Sequence, residues 1–392
     1  MSRLAIIASH VIQYQDPFFR KLAAVPDLDV IVFFCSREGA SVYRDVDMQT
    51  SLRWDLDLLQ GYRHRFLRNV GGGHGFFRLV NPGIVSAIVR GRFDAVLFMT
   101  GWAWATAWLG FAACRIARVP IFMYGDSSFV PEEQSLRARI RSRVMRALFE
   151  RTSAFMISGA WNADYYKHYG ADQSRFFPMP WAIDNDRFIA AGGFAPGERE
   201  LLRARYGIAA DKMVIVFSGK LIPRKDPMTL LAAFAAMRNR DRAALVFMGD
   251  GVLRPELERY VAENAVPDVH FIGFVNQTEI PKHYAMADVF VLPSSFDPRA
   301  TVVNEAMVSG LPVIITDRCG PAGDIARDGD NAIIMQFGDR LMLRESLDRL
   351  AANGDLRTRM GRRSREIIGD WNYDAGVEGL RRALPVVVTK SS

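Results

Sequence analysis

The sequence predicts an α/β protein of two Rossmann-like, doubly wound parallel-sheet domains, on three observations. Short β-branched and aromatic runs recur along the chain, each followed by a segment of helical period. The runs are continuously apolar, as strands buried on both faces of a parallel sheet are. And 392 residues are too many for one ordinary core, but suit two at roughly 150 residues each.

In the first half the strand runs are "RLAIIAS", "LDVIVFFC", "FDAVLFMT", "VPIFMY" and "SAFMIS"; in the second they are "MVIVFSG", "AALVFMGD", "DVHFIG", "DVFVLPS" and "LPVIIT". Between the sets lies "FFPMPWAIDNDRFIAAGGFAPGERE", rich in proline, glycine and charge as interdomain linkers are. The expected division is residues 1–180, residues 181–370, and a last helix in 371–392 that is free to return to the first domain. Two such domains are expected to face a cleft, with ligands held beyond the carboxyl ends of the strands where strand order reverses.

Composition excludes several classes. The chain is 49% hydrophobic and 24% charged, as ordinary globular proteins are. "GWAWATAWLGFAACRIARVPIFMY" is cut by Arg115 and Arg118 short of the roughly 20 residues that span a bilayer, and reads as a buried helix and a strand. "MSRLAIIASH" lacks a signal-peptide core and cleavage site, so a cytoplasmic location is expected. Cys35, Cys114 and Cys319 have no metal spacing and read as buried thiols; no metal site is expected. A net charge of +7 favours anionic partners such as phosphorylated molecules or anionic lipid. Nucleic acid is not expected, because no helix-turn-helix, zinc-finger or aromatic-basic signature is present.

Four stretches concentrate ligand-binding groups. In "VFSGKLIPRKDPMTLL", a strand ends at Ser218-Gly219 and a loop carrying Lys220, Arg224 and Lys225 leads into a helix starting near Pro227. Cations beside a helix N-terminus suit a pyrophosphate. "FMGDGVLRPELE" runs from a strand into Gly249 and Gly251, glycines that let backbone approach a ligand. "HFIGFVNQ" ends a strand at Phe274 and Val275, which could contact a nucleobase. In "FDPRATVVNEAMVSG", Asp297 lies in a loop and Glu305 inside the following helix. Two carboxylates there can accept hydrogen bonds from sugar or ribose hydroxyls, or act as a general acid/base pair.

Taken together, these residues resemble the retaining GT-B glycosyltransferases of family four, the glycogen-synthase-like group, most closely over residues 178 to 340. The resemblance implies that Gly219, Lys220 and Lys225 bind the donor diphosphate, that Glu305 holds the ribose and that Asp297 holds the transferred sugar. It also implies departure of the nucleoside diphosphate with retained anomeric configuration, no metal, no cofactor and no side-chain nucleophile. Departures from the family pattern fall in two of these loops. Lys220 stands where the family usually has arginine, and Asp297-Pro298-Arg299-Ala300 replaces a Glu-Pro-aromatic-Gly run that leads into Thr301. Aspartate loses one carbon–carbon bond, about 1.5 Å of reach.

The first half is looser. "VPIFMYGDSS" places Asp126 where relatives carry a histidine near the reaction centre, and Asp126 reads equally as a sugar contact or a helix cap. His10, Gln13 and Tyr14 follow the first strand as acceptor-side candidates, and "NVGGGHGFFRLVNPG" reads as a loop closing on the acceptor. "SLRARIRSRVMRALFERT" sets Leu136, Ile140, Val144 and Leu148 on one face among Arg137, Arg139, Arg141, Arg143 and Arg146. It fits either an anionic bilayer surface or a core-facing helix with a solvated basic face. The expected function is transfer of a sugar from a nucleotide sugar to a cell-surface polysaccharide, glycolipid or related acceptor, in the cytoplasm or at the inner membrane face. The alternatives are a catalytically inactive nucleotide-sugar-binding subunit and a nucleotide-sugar epimerase on the same fold. A dehydrogenase is disfavoured, since no G-x-G-x-x-G follows a strand.

Overall fold

A computed structural model of the protein describes residues 1–45, 50–125, 127 and 135–388. The chain forms two compact units: residues 1–42, 57–181 and 373 onward make the first, and residues 43–56 and 182–372 the second.

In chain order the elements up to the linker are β1 (Ser2–Ala8), α1 (Asp16–Ala23), β2 (Leu28–Phe34), β3 (Tyr43–Asp45), β4 (Thr50–Leu52), β5 (Arg63–Phe66), α2 (Gly83–Gly91), β6 (Ala95–Phe98), α3 (Ala105–Ala117), β7 (Ile121–Tyr124), α4 (Leu136–Glu150), β8 (Ala154–Ile157), α5 (Ala160–His168) and β9 (Phe176–Pro178). Except for β3 and β4, these belong to the first unit. Its sheet runs β5-β2-β1-β6-β7-β8-β9, parallel throughout, with Leu4 paired to Val30 on one side and to Ala95 on the other. Every residue of β6 and β7 is buried. Successive strand residues face opposite sides, so both faces of this sheet are covered.

The remaining elements are α6 (Asn185–Ala191), α7 (Glu198–Arg205), β10 (Met213–Ser218), α8 (Pro227–Ala235), β11 (Ala243–Met248), α9 (Arg254–Glu263), β12 (Val269–Gly273), α10 (Ile280–Ala285), β13 (Val289–Leu292), α11 (Thr301–Val308), β14 (Val313–Thr316), β15 (Ala332–Met335), α12 (Arg340–Ala352), α13 (Gly354–Gly369) and α14 (Tyr373–Val388). The second unit's sheet is also parallel, in the order β12-β11-β10-β13-β14-β15. β10, β11, β13 and β14 are buried at every position, so this sheet too is covered on both faces. Strand order reverses between β1 and β6 in one unit and between β10 and β13 in the other.

α14 belongs to the first unit. The Tyr373 hydroxyl donates to Tyr14 O at 2.7 Å, Lys21 pairs with Asp374 at 2.7 Å, and a side chain at Gly379 would collide with the carbonyl of Pro178.

Five strands lie outside the sequence-derived set: the short antiparallel pair β3 and β4, and β5, β9 and β15. β5 is an edge strand of sequence RHRF whose first three residues are exposed, so it carries no apolar run. β9 sits within the proline-rich stretch read as linker, and its terminal Pro178 is tolerated because the strand is at an edge. β15 follows the run "LPVIIT" without a helix of its own between them. α4 also corrects the reading of its apolar face. Leu136, Ile140 and Val144 are exposed, at 73%, 53% and 40%, whereas Leu148 is buried with Met145 and Phe149 on the inner side.

Candidate functional site

The groups singled out in the second half converge at the carboxyl ends of β10, β11, β12 and β13. After β10 the chain turns through Gly219 (φ +141°) into Lys220, buried Leu221 and a 3-10 turn, Pro223–Lys225. Asp226 then caps α8 by accepting from Thr229 N at 3.3 Å, with Pro227 in the first turn, where its missing N–H costs nothing. This loop is stitched to the one after β13: Ser295 N donates to Arg224 O at 2.9 Å, and the Arg224 guanidinium donates to Phe296 O at 2.8 Å.

Across that seam Lys225 Nζ forms an ion pair with Asp297 Oδ2, and both side chains are about nine-tenths buried, at 11% and 10% exposure. Arg224 stands 3.9 Å from Asp297 Oδ1, and the same oxygen accepts from Ala300 N at 3.1 Å. Asp297 thus fixes a cation and caps the approach to α11 at once, while each carboxylate oxygen keeps a lone pair for a further donor. Its backbone is clamped as well, with Asp297 N donating to Arg318 O and Gly320 N to Asp297 O, both at 2.9 Å. Ala300 adopts φ +39°, the left-handed region, where its β-carbon is disfavoured and a glycine would sit freely. Arg299 and Thr301 flank it, half-buried.

Glu305 is fully buried in α11, and the Tyr284 hydroxyl of α10 donates to its Oε2 at 2.8 Å. A buried carboxylate held by hydrogen bonds is an acceptor for donor hydrogens.

Gly249 and Gly251 have a reason the sequence did not reveal. A β-carbon at Gly249 would collide with Gly219 O, and one at Gly251 with Leu221 O. Their bareness lets the loop after β11 interlock with the phosphate-loop candidate, through Gly219 N to Met248 O, Leu221 N to Asp250 O and Leu253 N to Leu221 O, each at 2.9 Å. The row continues outward through Gly249 N to Gly273 O at 2.8 Å, reaching half-buried Phe274 and Val275 after β12.

The structure adds three features with no local sequence signal. Ser294, just beyond β13, is fully buried with its Oγ lacking a hydrogen-bond partner. Tyr284 is the partner of Glu305. And Trp54, from the first half of the chain, packs against Phe274 with ring centroids 6.2 Å apart. A pattern reader could have flagged Trp54 only as an isolated aromatic.

In the first unit the strand ends carry different chemistry. Ser9 Oγ and His10 Nδ1 are 2.9 Å apart after β1, and Gln13 and Tyr14 follow, half-buried. Beyond β6, Thr100 is buried with its Oγ1 unpartnered, and Trp102 Nε1 donates to Tyr165 OH at 2.9 Å. Burial pushes the Tyr165 phenol up to about 12. Asp126, the remaining candidate, lies outside the described residues. The glycine-rich loop is pinned at its base, where the Asn69 carboxamide accepts from Gly71 N and Val80 N and donates to Arg78 O. Among the described residues no group of three or more His, Cys, Asp and Glu side chains could hold a metal ion, and no helix is long and apolar enough to cross a membrane.

Comparison with known proteins places this geometry. Residues 198–367 match the model of the family described as glycosyl transferases group 1. The D-inositol 3-phosphate glycosyltransferase of Geodermatophilus obscurus is 33% identical over 183 residues, covering 44% of this chain and 39% of that protein. The GDP-mannose-dependent alpha-(1-6)-phosphatidylinositol monomannoside mannosyltransferase of Mycobacterium tuberculosis H37Rv is 30% identical over 206 residues, or 50% and 52% of the two chains. The chain thus matches about half the length, or less, of these curated relatives. A solved structure of Anabaena HepE in complex with UDP superposes over 98% of this chain and 100% of its own, with a TM-score of 0.76 and 15% identity. The chain has the GT-B fold of that solved structure, and its residues 198–367 are similar to the group 1 glycosyl transferases.

Proposed function

We propose that this glycosyltransferase-fold chain is an active, retaining and metal-independent enzyme. It would move a sugar from a nucleoside-diphosphate donor to a hydroxyl of a glycan or lipid-linked acceptor. The observation that carries the reading is the Lys225–Asp297 pair at the switch point between β10 and β13, with Arg224 and Lys220 on the same loop. Ligands of open α/β sheets sit at that point, and three cations there suit a diphosphate. The similarity to proteins named for D-inositol 3-phosphate, phosphatidylinositol mannoside and UDP supports the same substrate classes.

In this reading Lys220, Lys225 and Arg224 take up the negative charge that grows on the diphosphate as the glycosidic C–O bond breaks, and supply the charge a metal would otherwise supply. Asp297 uses its remaining lone pairs on hydroxyls of the transferred sugar, and Glu305 accepts from the ribose. The departing phosphate oxygen takes the proton from the acceptor hydroxyl as that oxygen bonds to the anomeric carbon on the face the diphosphate leaves, so configuration is retained. No cofactor takes part. Arg299 pairs with a negative charge on donor or acceptor, Asp126 contacts the transferred sugar, and His10, Gln13 and Tyr14 serve the acceptor side.

The exposed stripe Leu136, Ile140 and Val144, with arginines on both borders of α4, supports seating on an anionic bilayer at the cytoplasmic face. Flotation with anionic and neutral vesicles tests this, and equal absence of binding to both would contradict it.

Incubation with a panel of nucleotide sugars, with and without EDTA, tests the main reading. Release of the nucleoside diphosphate, unaffected by EDTA and giving a product of unchanged anomeric configuration, is the expected result. Tight binding without release would indicate an inactive binding subunit, and a new nucleotide-sugar isomer would indicate an epimerase.

A further inference from the structure

Residues 43–56 leave the half of the chain in which they are encoded and pack with the second unit. They form the antiparallel pair β3–β4, with Tyr43 opposite Leu52, followed by Arg53, Trp54 and Asp55. Two residues beyond the end of β12 tie this strap down. Asn276 Nδ2 donates to Arg53 O at 2.8 Å, and Thr278 gives both its backbone N–H (3.2 Å) and its hydroxyl to the Asp55 carboxylate. The outcome is the placement of one large ring. The Trp54 ring contacts Tyr43, with centroids 6.3 Å apart, and Phe274, at 6.2 Å, and Trp54 and Phe274 both stay half-buried.

That location matters because of the row of strand ends. Gly219, at the head of the cationic loop, is hydrogen-bonded through the end of β11 to Gly273, and Phe274 is the next residue. Two strand spacings, roughly 10 Å, separate the end of β10 from that of β12, a distance a nucleoside diphosphate bridges. Aromatic faces at that end suit a planar base, because stacking needs only a π-surface of each partner.

We propose that Trp54 is a base-stacking residue of the donor site, delivered by this strap from outside the family-matched segment. The proposal rests on the donor reading above and assigns the base side of that site. Because stacking tolerates any base, Trp54 sets affinity, and discrimination among bases is left to polar groups beside it.

Calorimetric titration of wild type, Trp54→Ala and Trp54→Phe with UDP, GDP, ADP, CDP, dTDP and inorganic pyrophosphate tests it. Trp54→Ala is expected to weaken whichever nucleoside diphosphate the wild type binds by on the order of tenfold, the scale of one base–aromatic stack. Pyrophosphate affinity should stay unchanged, and Trp54→Phe should recover most of the loss. Should Trp54→Ala lower the melting temperature, Trp54→Leu, which keeps bulk without a π-face, must reproduce the selective loss. Equal weakening of nucleotide and pyrophosphate, or no change in either, would overturn the proposal as a packing role. A wild type that binds pyrophosphate but none of UDP, GDP, ADP, CDP and dTDP would overturn the donor reading itself.

Discussion

The two units share one sheet topology, with the same reversal of strand order, and differ at the rim formed by the carboxyl ends of the strands. In the second unit the strand past the reversal, β13, leads into Asp297, paired with Lys225 and overlooked by Arg224. In the first, the corresponding strand β6 leads into Thr100 and Trp102, neutral and aromatic, with Tyr165 as partner. The framework is common to both, and among the described residues the loop past the reversal carries a charged pair in the second unit and Thr100 and Trp102 in the first. A charged rim suits a fixed ionic group such as a diphosphate, whereas an aromatic, hydroxyl-lined rim suits polyhydroxylated rings whose stereochemistry varies. One correspondence survives: Thr100 and Ser294 each lie two residues past the strand beyond the reversal, buried, with an unpartnered hydroxyl. Buried polar groups usually find a partner, and these two hydroxyls do not.

The contrast can be broken most directly at Lys225. Lys225→Ala should lower kcat/KM for donor by on the order of 100-fold, as loss of a charge-stabilising donor does elsewhere, in donor hydrolysis and transfer alike. Loss of transfer with hydrolysis intact would place the diphosphate elsewhere. Trp102→Ala should do the reverse, leaving donor hydrolysis unchanged and reducing transfer to acceptor by about tenfold, the scale of one aromatic stack. A matching fall in hydrolysis would erase the division between the two rims.

Smaller effects sharpen the same comparison. Thr100→Val removes an unsatisfied hydroxyl at constant shape and should raise stability by about 1 kcal/mol, read by urea denaturation. A loss of that size would mean the hydroxyl is already bonded. Ala300→Gly relieves a left-handed β-carbon but adds freedom to the unfolded chain, for a net gain of about 0.5 kcal/mol. Destabilisation beyond about 1 kcal/mol would show that the β-carbon packs usefully in its buried setting.

The two rims were also unequally legible in the sequence. The loops carrying Lys220 to Lys225 and Asp297 to Glu305 could be located because each follows a continuous apolar run, and both sheets were foreseeable from such runs. β5 was not, because an edge strand of sequence RHRF needs no buried face. Gly249 and Gly251 stood out as glycines, but the carbonyls they avoid belong to a loop some 30 residues earlier, roughly one βα unit away. Leu148 follows the spacing of Leu136, Ile140 and Val144, yet α4 turns it inward with Met145 and Phe149, because 3.6 residues per turn drift a four-residue spacing around the helix. Trp54 and the orphan hydroxyls depend on tertiary contacts that no local spacing encodes.

The central claim is that the cations after β10 hold a sugar donor's diphosphate while the sugar leaves with its configuration kept. Proton NMR of one nucleotide sugar turning over with wild type and with the Lys220→Ala/Lys225→Ala double variant tests it in one experiment. The expected spectra show nucleoside diphosphate and a product anomeric signal of the donor's configuration with wild type, and unreacted donor with the variant. Equal turnover by both proteins, or an inverted anomer from wild type, would contradict the account.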